Sequence, residues 1–341
     1  MKFAVIGTWG HYGEVLRELE DMEDAQCVGW SKGMPEDNIE DVKRRFEKTA
    51  ECQVFESHCT LLEHQSPELV IISTRLDRIS ALTVDAVKAG CHVICEKPLA
   101  ITEDELYQLW DTVKANGVQC LAMLNNRCHP LLAATRATIK DGEIGEVKLI
   151  NARKSYRFGD RPDWFGQRSI YGGTIPWVGI HAFDFIEAIT STSFSAVSAF
   201  HRNAAHPAWP DCEDIAGILV SLQNGGLATV SIDYLRPAKA PTHGDDWLRV
   251  VGTEGIVEAA ISRDYGTVQS NQSGSYYLPT GSRTKYYSPR IRAFTTANTT
   301  FPNADTRRGF MLTQAALCAR KGADNGIVKR IPIAPWSQAT M

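Results

Sequence analysis

Along the first 124 residues, short apolar runs alternate with stretches of helical period. Phe3-Ala4-Val5-Ile6 predicts a buried strand, followed by a glycine turn and a helix over 14–22. Residues 25–30 predict a second strand, and the charged stretch 37–50 a helix with its polar face to water. The continuous apolar run 69–73 suits a strand buried inside a parallel sheet. A helix over 80–89 closed by Gly90, a strand at 92–95, a helix over 102–115 and a strand at 119–124 complete the alternation. Thr102-Glu103-Asp104-Glu105 reads as a capping box, and Asn116-Gly117 as the end of that helix. Strand and helix in regular alternation predict an α/β domain with a doubly wound parallel sheet.

The pattern then changes. His129-Pro130 opens a helix that runs to Asp141-Gly142. Strand-like runs follow at 147–156, 194–200, 215–222, 226–234 and 247–252, interrupted by one helix over about 179–189. Asn224-Gly225-Gly226 is the clearest hairpin turn. This block predicts an α+β domain on a large open, mostly antiparallel sheet that offers one face to a ligand. Residues 266–305, rich in Ser, Thr, Tyr, Asn and Gly, read as long loops, lid-forming or at a subunit contact. A helix over 306–321 ends at Gly322. The expected division is therefore 1–124, 125–305, and a C-terminal helix and tail at 306–341.

The chain of 341 residues is long enough for two domains, and its 43% hydrophobic and 22% charged content is that of a globular protein. A net charge of −4 gives no reason to expect nucleic acid or an anionic membrane as partner. There is no apolar run of membrane-spanning length and no leader-like start. Nine scattered cysteines read as reduced thiols of a cytoplasmic protein. Cys91-His92 and Cys95 lie close together, but alternate strand side chains face opposite ways, so they read as packing and no metal is expected.

Three segments carry candidate chemistry. Gly7-Thr8-Trp9-Gly10-His11-Tyr12-Gly13 follows the first strand, where glycines let the backbone approach a pyrophosphate at a helix N-terminus. The domain is therefore read as a Rossmann domain binding a dinucleotide. Strand two ends Trp30-Ser31-Lys32 without the acid that commonly holds the ribose of NAD. A hydroxyl and a cation there suit a 2′-phosphate, so NADP is expected to bind at least as well as NAD. Third, Cys95-Glu96-Lys97-Pro98 stands at the C-terminal end of a parallel strand, the edge where open α/β sheets bind ligands. The Lys97-Pro98 peptide is one that can be cis.

Glu96-Lys97-Pro98-Leu99 resembles the signature of the glucose-fructose oxidoreductase and inositol dehydrogenase (Gfo/Idh/MocA) family. So do Asn126-Arg127-Cys128-His129-Pro130, Gly172-Gly173-Thr174 through Gly179-Ile180-His181-Ala182-Phe183-Asp184, and Gly252-Thr253-Glu254-Gly255. The resemblance covers essentially the whole chain. It implies NAD or NADP as cofactor, a sugar, polyol or derivative as substrate, and a C-terminal helix returning to the first domain. It also implies catalytic roles for Lys97 and His181. Members often carry an Asp four residues before the motif histidine; here that place is Trp177, and Asp184 could orient His181 instead. Where many members have Thr-Pro-Asn after strand three, this chain has Thr74-Arg75-Leu76. Thr74, Arg75, Glu96 and Lys97 join residues 7–12, Ser31 and Lys32 as expected cofactor contacts.

Arg127, Arg153, Tyr156, Arg157, Trp164, Trp177 and Tyr234, with Lys97 and His181, form the expected substrate-facing set, suited to a hydroxylated or anionic ligand. The leading reading is an NAD(P)-dependent dehydrogenase acting on CH–OH groups, assembled as a homodimer or homotetramer. Two alternatives stay open: a dinucleotide-binding sensor without turnover, and an NAD-assisted glycoside hydrolase.

Overall fold

The computed structural model describes residues 1–46, 52–294 and 301–337. The apolar runs of the first third become β1 (Lys2–Ile6), β2 (Gln26–Ser31), β3 (Gln53–Phe55), β4 (Leu69–Ile72), β5 (His92–Cys95) and β6 (Cys120–Ala122). Between them lie α1 (Tyr12–Glu20), α2 (Glu40–Phe46), α3 (His58–Gln65), α4 (Leu76–Lys88) and α5 (Glu103–Asn116). The strands are parallel, in the order β3-β2-β1-β4-β5-β6. Connections leave in opposite directions at β1 and β4, so the ligand-binding crevice of such a sheet lies beyond their C-terminal ends. Thr102 caps α5 in the expected box with Glu105, and Gly117 closes that helix in the left-handed conformation.

Residues 37–50 were expected as one helix. Only Glu40–Phe46 is helical among the described residues, because Asp37 folds back to accept backbone N–H groups at 2.8 Å from Gly33 and Met34; 47–50 lie outside the described set.

The second half contains α6 (Pro130–Lys140), β7 (Val147–Ser155), α7 (Arg168–Tyr171), α8 (Ile180–Thr190), β8 (Phe194–Arg202), β9 (Ile215–Leu222) and β10 (Leu227–Asp233). It continues through β11 (Trp247–Gly252), β12 (Gly255–Ala260), β13 (Tyr265–Ser270) and β14 (Gly274–Tyr277). Last come α9 (Tyr287–Phe294), α10 (Ala304–Asn325) and β15 (Lys329–Arg330). Nine strands form one sheet in the order β14-β13-β12-β11-β7-β10-β9-β8-β15, with β7–β10 as its parallel pair and antiparallel neighbours elsewhere. Gly225, with φ of +83°, makes the β9–β10 turn.

Two expectations are corrected. Residues 295–300 lie outside the described set; among the described residues of 266–305, the β13–β14 hairpin, α9 and the start of α10 replace the expected long loops. Their strands are polar because β14 is a fully exposed edge, where Tyr276 and Tyr277 favour strand by shape instead of burial. The helix expected to stop at Gly322 continues to Asn325. The left-handed glycine that closes the helix is Gly326, with φ of +64°, which lets Ile327 N–H return to the Gly322 carbonyl at 3.1 Å.

The chain divides into two compact units. One is Met1–Met123 with Lys285–Thr313 and Ala334–Met341; the other is Leu124–Thr284 with Gln314–Ile333. The division falls inside α10. Within the first unit, Phe310 and Trp336 pack on Trp110 of α5 with ring centroids 5.0 and 5.6 Å away. No helix among the described residues is long and apolar enough to cross a membrane.

Glu18 of α1 caps α9. Its carboxylate accepts from the N–H groups of Tyr286, Tyr287 and Ser288 at 2.8–2.9 Å, and from the Ser288 hydroxyl at 3.1 Å. These charge-assisted bonds satisfy donors that the first turn of a helix leaves unpaired. Glu18→Ala should therefore lower stability by about 2 kcal/mol. A denaturant titration that finds no loss would show that α9 is held by its apolar face alone.

Candidate functional site

In the first unit, the expected cofactor residues converge beyond the ends of β1, β4 and β5. Gly7 has φ of +79°, and a Cβ there would lie 2.4 Å from the Ser73 carbonyl at the end of β4. Gly33 approaches equally closely, its virtual Cβ 2.5 Å from the Thr74 hydroxyl. The loops after β1, β2 and β4 are thus in backbone contact, a cradle that only glycine permits.

Several N–H groups of the turn are taken inside the unit. Gly7 donates to the Ser31 carbonyl and Trp9 to the Ser73 carbonyl, both at 3.0 Å. Thr8 N–H and His11 N–H donate to the carboxylates of Asp37 (2.9 Å) and Glu96 (2.7 Å). Gly10, Tyr12 and Gly13 N–H groups, at the N-terminus of α1, are committed to none of these acceptors and suit an anion. The Thr74 hydroxyl is buried without a hydrogen-bond partner. This arrangement fits a dinucleotide pyrophosphate.

Ser31 is wholly buried on β2. Its hydroxyl, like that of Thr74, has no hydrogen-bond partner, while Lys32 reaches solvent with its ammonium donating to the Pro35 carbonyl at 2.8 Å. Asp37, not singled out in the sequence, takes the neighbouring position. It also accepts from the Thr8 hydroxyl at 3.2 Å, so an acid does stand beside the strand-two loop. A fixed spacing from the glycines misses it. Arg75 stands at the N-cap position of α4 and its side chain pairs with Asp77 at 2.8 Å, while the Tyr12 hydroxyl donates to Asp41 at 3.2 Å.

Glu96 and Lys97 are both buried at the end of β5. One Glu96 oxygen faces His11 Nδ1 at 2.9 Å; the other accepts Lys97 N–H at 2.9 Å. Burial alone would raise the Glu96 carboxyl, but the charges of His11 and Lys97 and the hydrogen bonds from His11 outweigh it and hold it below its usual range. The Lys97-Pro98 peptide is cis. Cys91 and Cys95 are buried, and burial pushes the Cys91 thiol up to about 11.

The second unit positions His181 in the first turn of α8, which a π-helical turn at Ile175–Gly179 leads into. Trp177 lies buried in that turn, its ring 6.5 Å from Phe165. Trp164 stacks against the same Phe165 at 4.6 Å. Arg127 sits beside α8 with its guanidinium on Glu187 and, at 3.2 Å, on Asp184. Its charge is thus matched within the unit. Arg153 pairs with Asp245 at 2.9 Å.

Tyr156 belongs to a group that sequence reading missed. Lys154, fully buried on β7, pairs with Asp246 and lies over the rings of Phe185 and Tyr156, at 4.6 and 5.2 Å. Burial lowers the Lys154 ammonium, against the opposing pull of Asp246 and Asp184. The signal was present: Ile150, Ala152 and 154 share the inward face of the strand. Arg157 and Tyr234 line an open cavity of about 480 Å³ with Phe158, His206 and Arg236.

A parallel sheet of this strand order, with a glycine cradle at its switch point and a buried Glu-Lys pair at the adjacent strand end, defines a dinucleotide-binding oxidoreductase. Two family descriptions match the chain: the oxidoreductase family with NAD-binding Rossmann fold over residues 1–124, and the GFO/IDH/MocA C-terminal domain over 132–258. The chain belongs to the GFO/IDH/MocA family, an NAD-binding oxidoreductase family. A structure from Thermotoga maritima with an oxidoreductase assignment is 31% identical and superimposes with a TM-score of 0.87, over 97% of this chain and 100% of that one. Levoglucosan dehydrogenase of Pseudarthrobacter phenanthrenivorans is 28% identical over 41% of this chain and 37% of its own length. Inositol 2-dehydrogenase of Rhizobium meliloti is 27% identical over 58% of each. The chain thus spans about half the length of these curated relatives.

Glu96 has a measurable consequence. Because its folded pKa is depressed, its ionised form stabilises the fold fully above the unfolded carboxyl pKa of about 4.3 and loses that contribution as pH falls through the folded value. Unfolding free energy followed from neutral to acid pH should fall less steeply in Glu96→Gln than in wild type. Equal acid limbs would contradict the assignment.

Proposed function

We propose that the protein is an NAD-dependent dehydrogenase that moves a hydride between a sugar, polyol or related small polar substrate and the cofactor. The observation that carries this reading is the glycine cradle at the switch point with Lys97 buried at the neighbouring strand end. The names of the curated relatives, which act on an anhydrosugar and an inositol, support the substrate class. When bound, NAD supplies a hydride acceptor at the nicotinamide C4. The backbone N–H groups of Gly10, Tyr12 and Gly13 would hold its pyrophosphate. Thr8, Trp9, His11, Lys32, Thr74 and Arg75 would border it.

Lys97 and His181 handle the substrate hydroxyl in this proposal. His181 serves as acid/base or as hydrogen-bond donor to the reacting oxygen, and Lys97 holds substrate and tunes charge. Tyr156, Arg157, Trp164, Trp177 and Tyr234 supply ring faces and donors for a hydroxylated ligand. Nine free cysteines suit a cytoplasmic protein. Phe200, Leu219 and Leu227 are 72, 48 and 45% exposed on adjacent strands of the nine-stranded sheet, and we assign this face to self-association as a dimer or tetramer. Light scattering at micromolar concentration should find the oligomer; a clean monomer refutes that part.

The activity is tested by absorbance at 340 nm on mixing NAD with a panel of sugars and polyols. On the substrate so found, Lys97→Ala and His181→Ala should each lower turnover by about 10²-fold or more, while NAD binding measured by fluorescence survives. Glycoside cleavage without net NADH, or NAD binding with no turnover on any of the panel, would replace this reading.

A further inference from the structure

His181 does not stand alone in the second unit. Its Nδ1 lies 3.3 Å from the Asn126 side-chain nitrogen. The Asn126 oxygen is itself engaged, accepting from the Arg283 guanidinium at 3.0 Å. A guanidinium carries donors only, so the amide must give its oxygen to Arg283 and its NH₂ to His181. Turning the amide over would set donor against donor at Arg283. An NH₂ facing Nδ1 requires a lone pair there, since a proton on Nδ1 would again oppose two donors. The neutral ring must then carry its proton on Nε2.

We infer that Asn126, locked by Arg283, is a positioning residue that fixes His181 as the Nε2–H tautomer. His181 accordingly donates a hydrogen bond to the reacting oxygen of the substrate and is not the group that takes its proton. The inference rests on the dehydrogenase reading above and assigns the role of one of its residues. In alcohol oxidation the C–H electron pair leaves as hydride for NAD, and the O–H pair becomes the second bond of the carbonyl. With His181 excluded as its acceptor, the proton passes in this proposal to the Lys97 amine, which then does more than hold the substrate as assigned above. The carboxylate one turn along α8, Asp184, would favour the opposite tautomer if it accepted from Nδ1; it is matched to Arg127 Nε at 3.2 Å.

The tautomer is read directly by NMR of ¹⁵N-histidine-labelled protein without cofactor, with the His181 signals identified by their loss in His181→Gln. At a pH where the ring is neutral, the expected result is a protonated Nε2 and a pyridine-type Nδ1. A proton on Nδ1 overturns the inference. Asn126→Asp puts an acceptor where the NH₂ stood, and should move the proton to Nδ1 and lower turnover by about 10²-fold without changing NAD affinity. Retention of Nε2–H in that variant also overturns it. Should Asn126→Asp fail to fold, Asn126→Ser, whose hydroxyl both donates and accepts, should give a mixture of tautomers; a pure Nε2–H state there counts against the role. The NMR needs no substrate, so lack of turnover on every sugar and polyol strikes only the dehydrogenase reading.

Discussion

Glu96 carries its carboxylate with no exposure to solvent, and both oxygens are committed, one to His11 and one to the Lys97 N–H. Burying a lone carboxylate costs several kcal/mol, so the group is tolerable only while those partners hold their places. The glycine turn, the end of β5 and Lys97 therefore form one mutually dependent piece. Gly10 follows from the same constraint: a Cβ there would sit 2.2 Å from Glu96 Oε2, and φ is +97°. The residue type at position 10 is thus dictated by a carboxylate 86 positions away in the chain, before any cofactor is considered.

Much of the first unit was legible because its strands are buried on both faces and read as unbroken apolar runs. β4, Leu69–Ile72, is the plainest case. The capping box at Thr102 was equally readable, since both of its bonds are local. What escaped was not written in the apolar pattern. Gly322 has the look of a helix end, but the returning chain at Ile327 closes on its carbonyl and the helix runs on. The β13–β14 hairpin escaped because an exposed edge strand needs no apolar alternation.

The site divides in the same way. His181, Lys97 and the glycine turn were singled out from motif and strand position, and the proposed function rests on them. For Ser31 and Lys32 residue type says nothing of direction: one side chain is buried and the other donates to a carbonyl. Arg127 looked like a ligand-seeking cation in sequence, yet Asp184 and Glu187, some sixty residues on, neutralise it. Lys154 was passed over because a charged residue in a strand is habitually assigned to the solvent side. Here Asp246, supplied by a later strand approach, makes the inward position affordable.

The parallel pairing of β7 with β10 bears on how the second unit is made. β7 lies between β10 and β11, both later in the chain; Asn151 meets Thr229 across 78 residues. No hairpin can zip this centre together, so its assembly waits on long loop closure, and folding is expected to be slow compared with a sheet of successive hairpins. Until β10 and β11 emerge and dock, β7 presents two open edges during synthesis. Lys148, Arg153 and Lys154 then interrupt its apolar run with charge, a protection against edge-to-edge aggregation in the nascent chain that the finished sheet no longer displays.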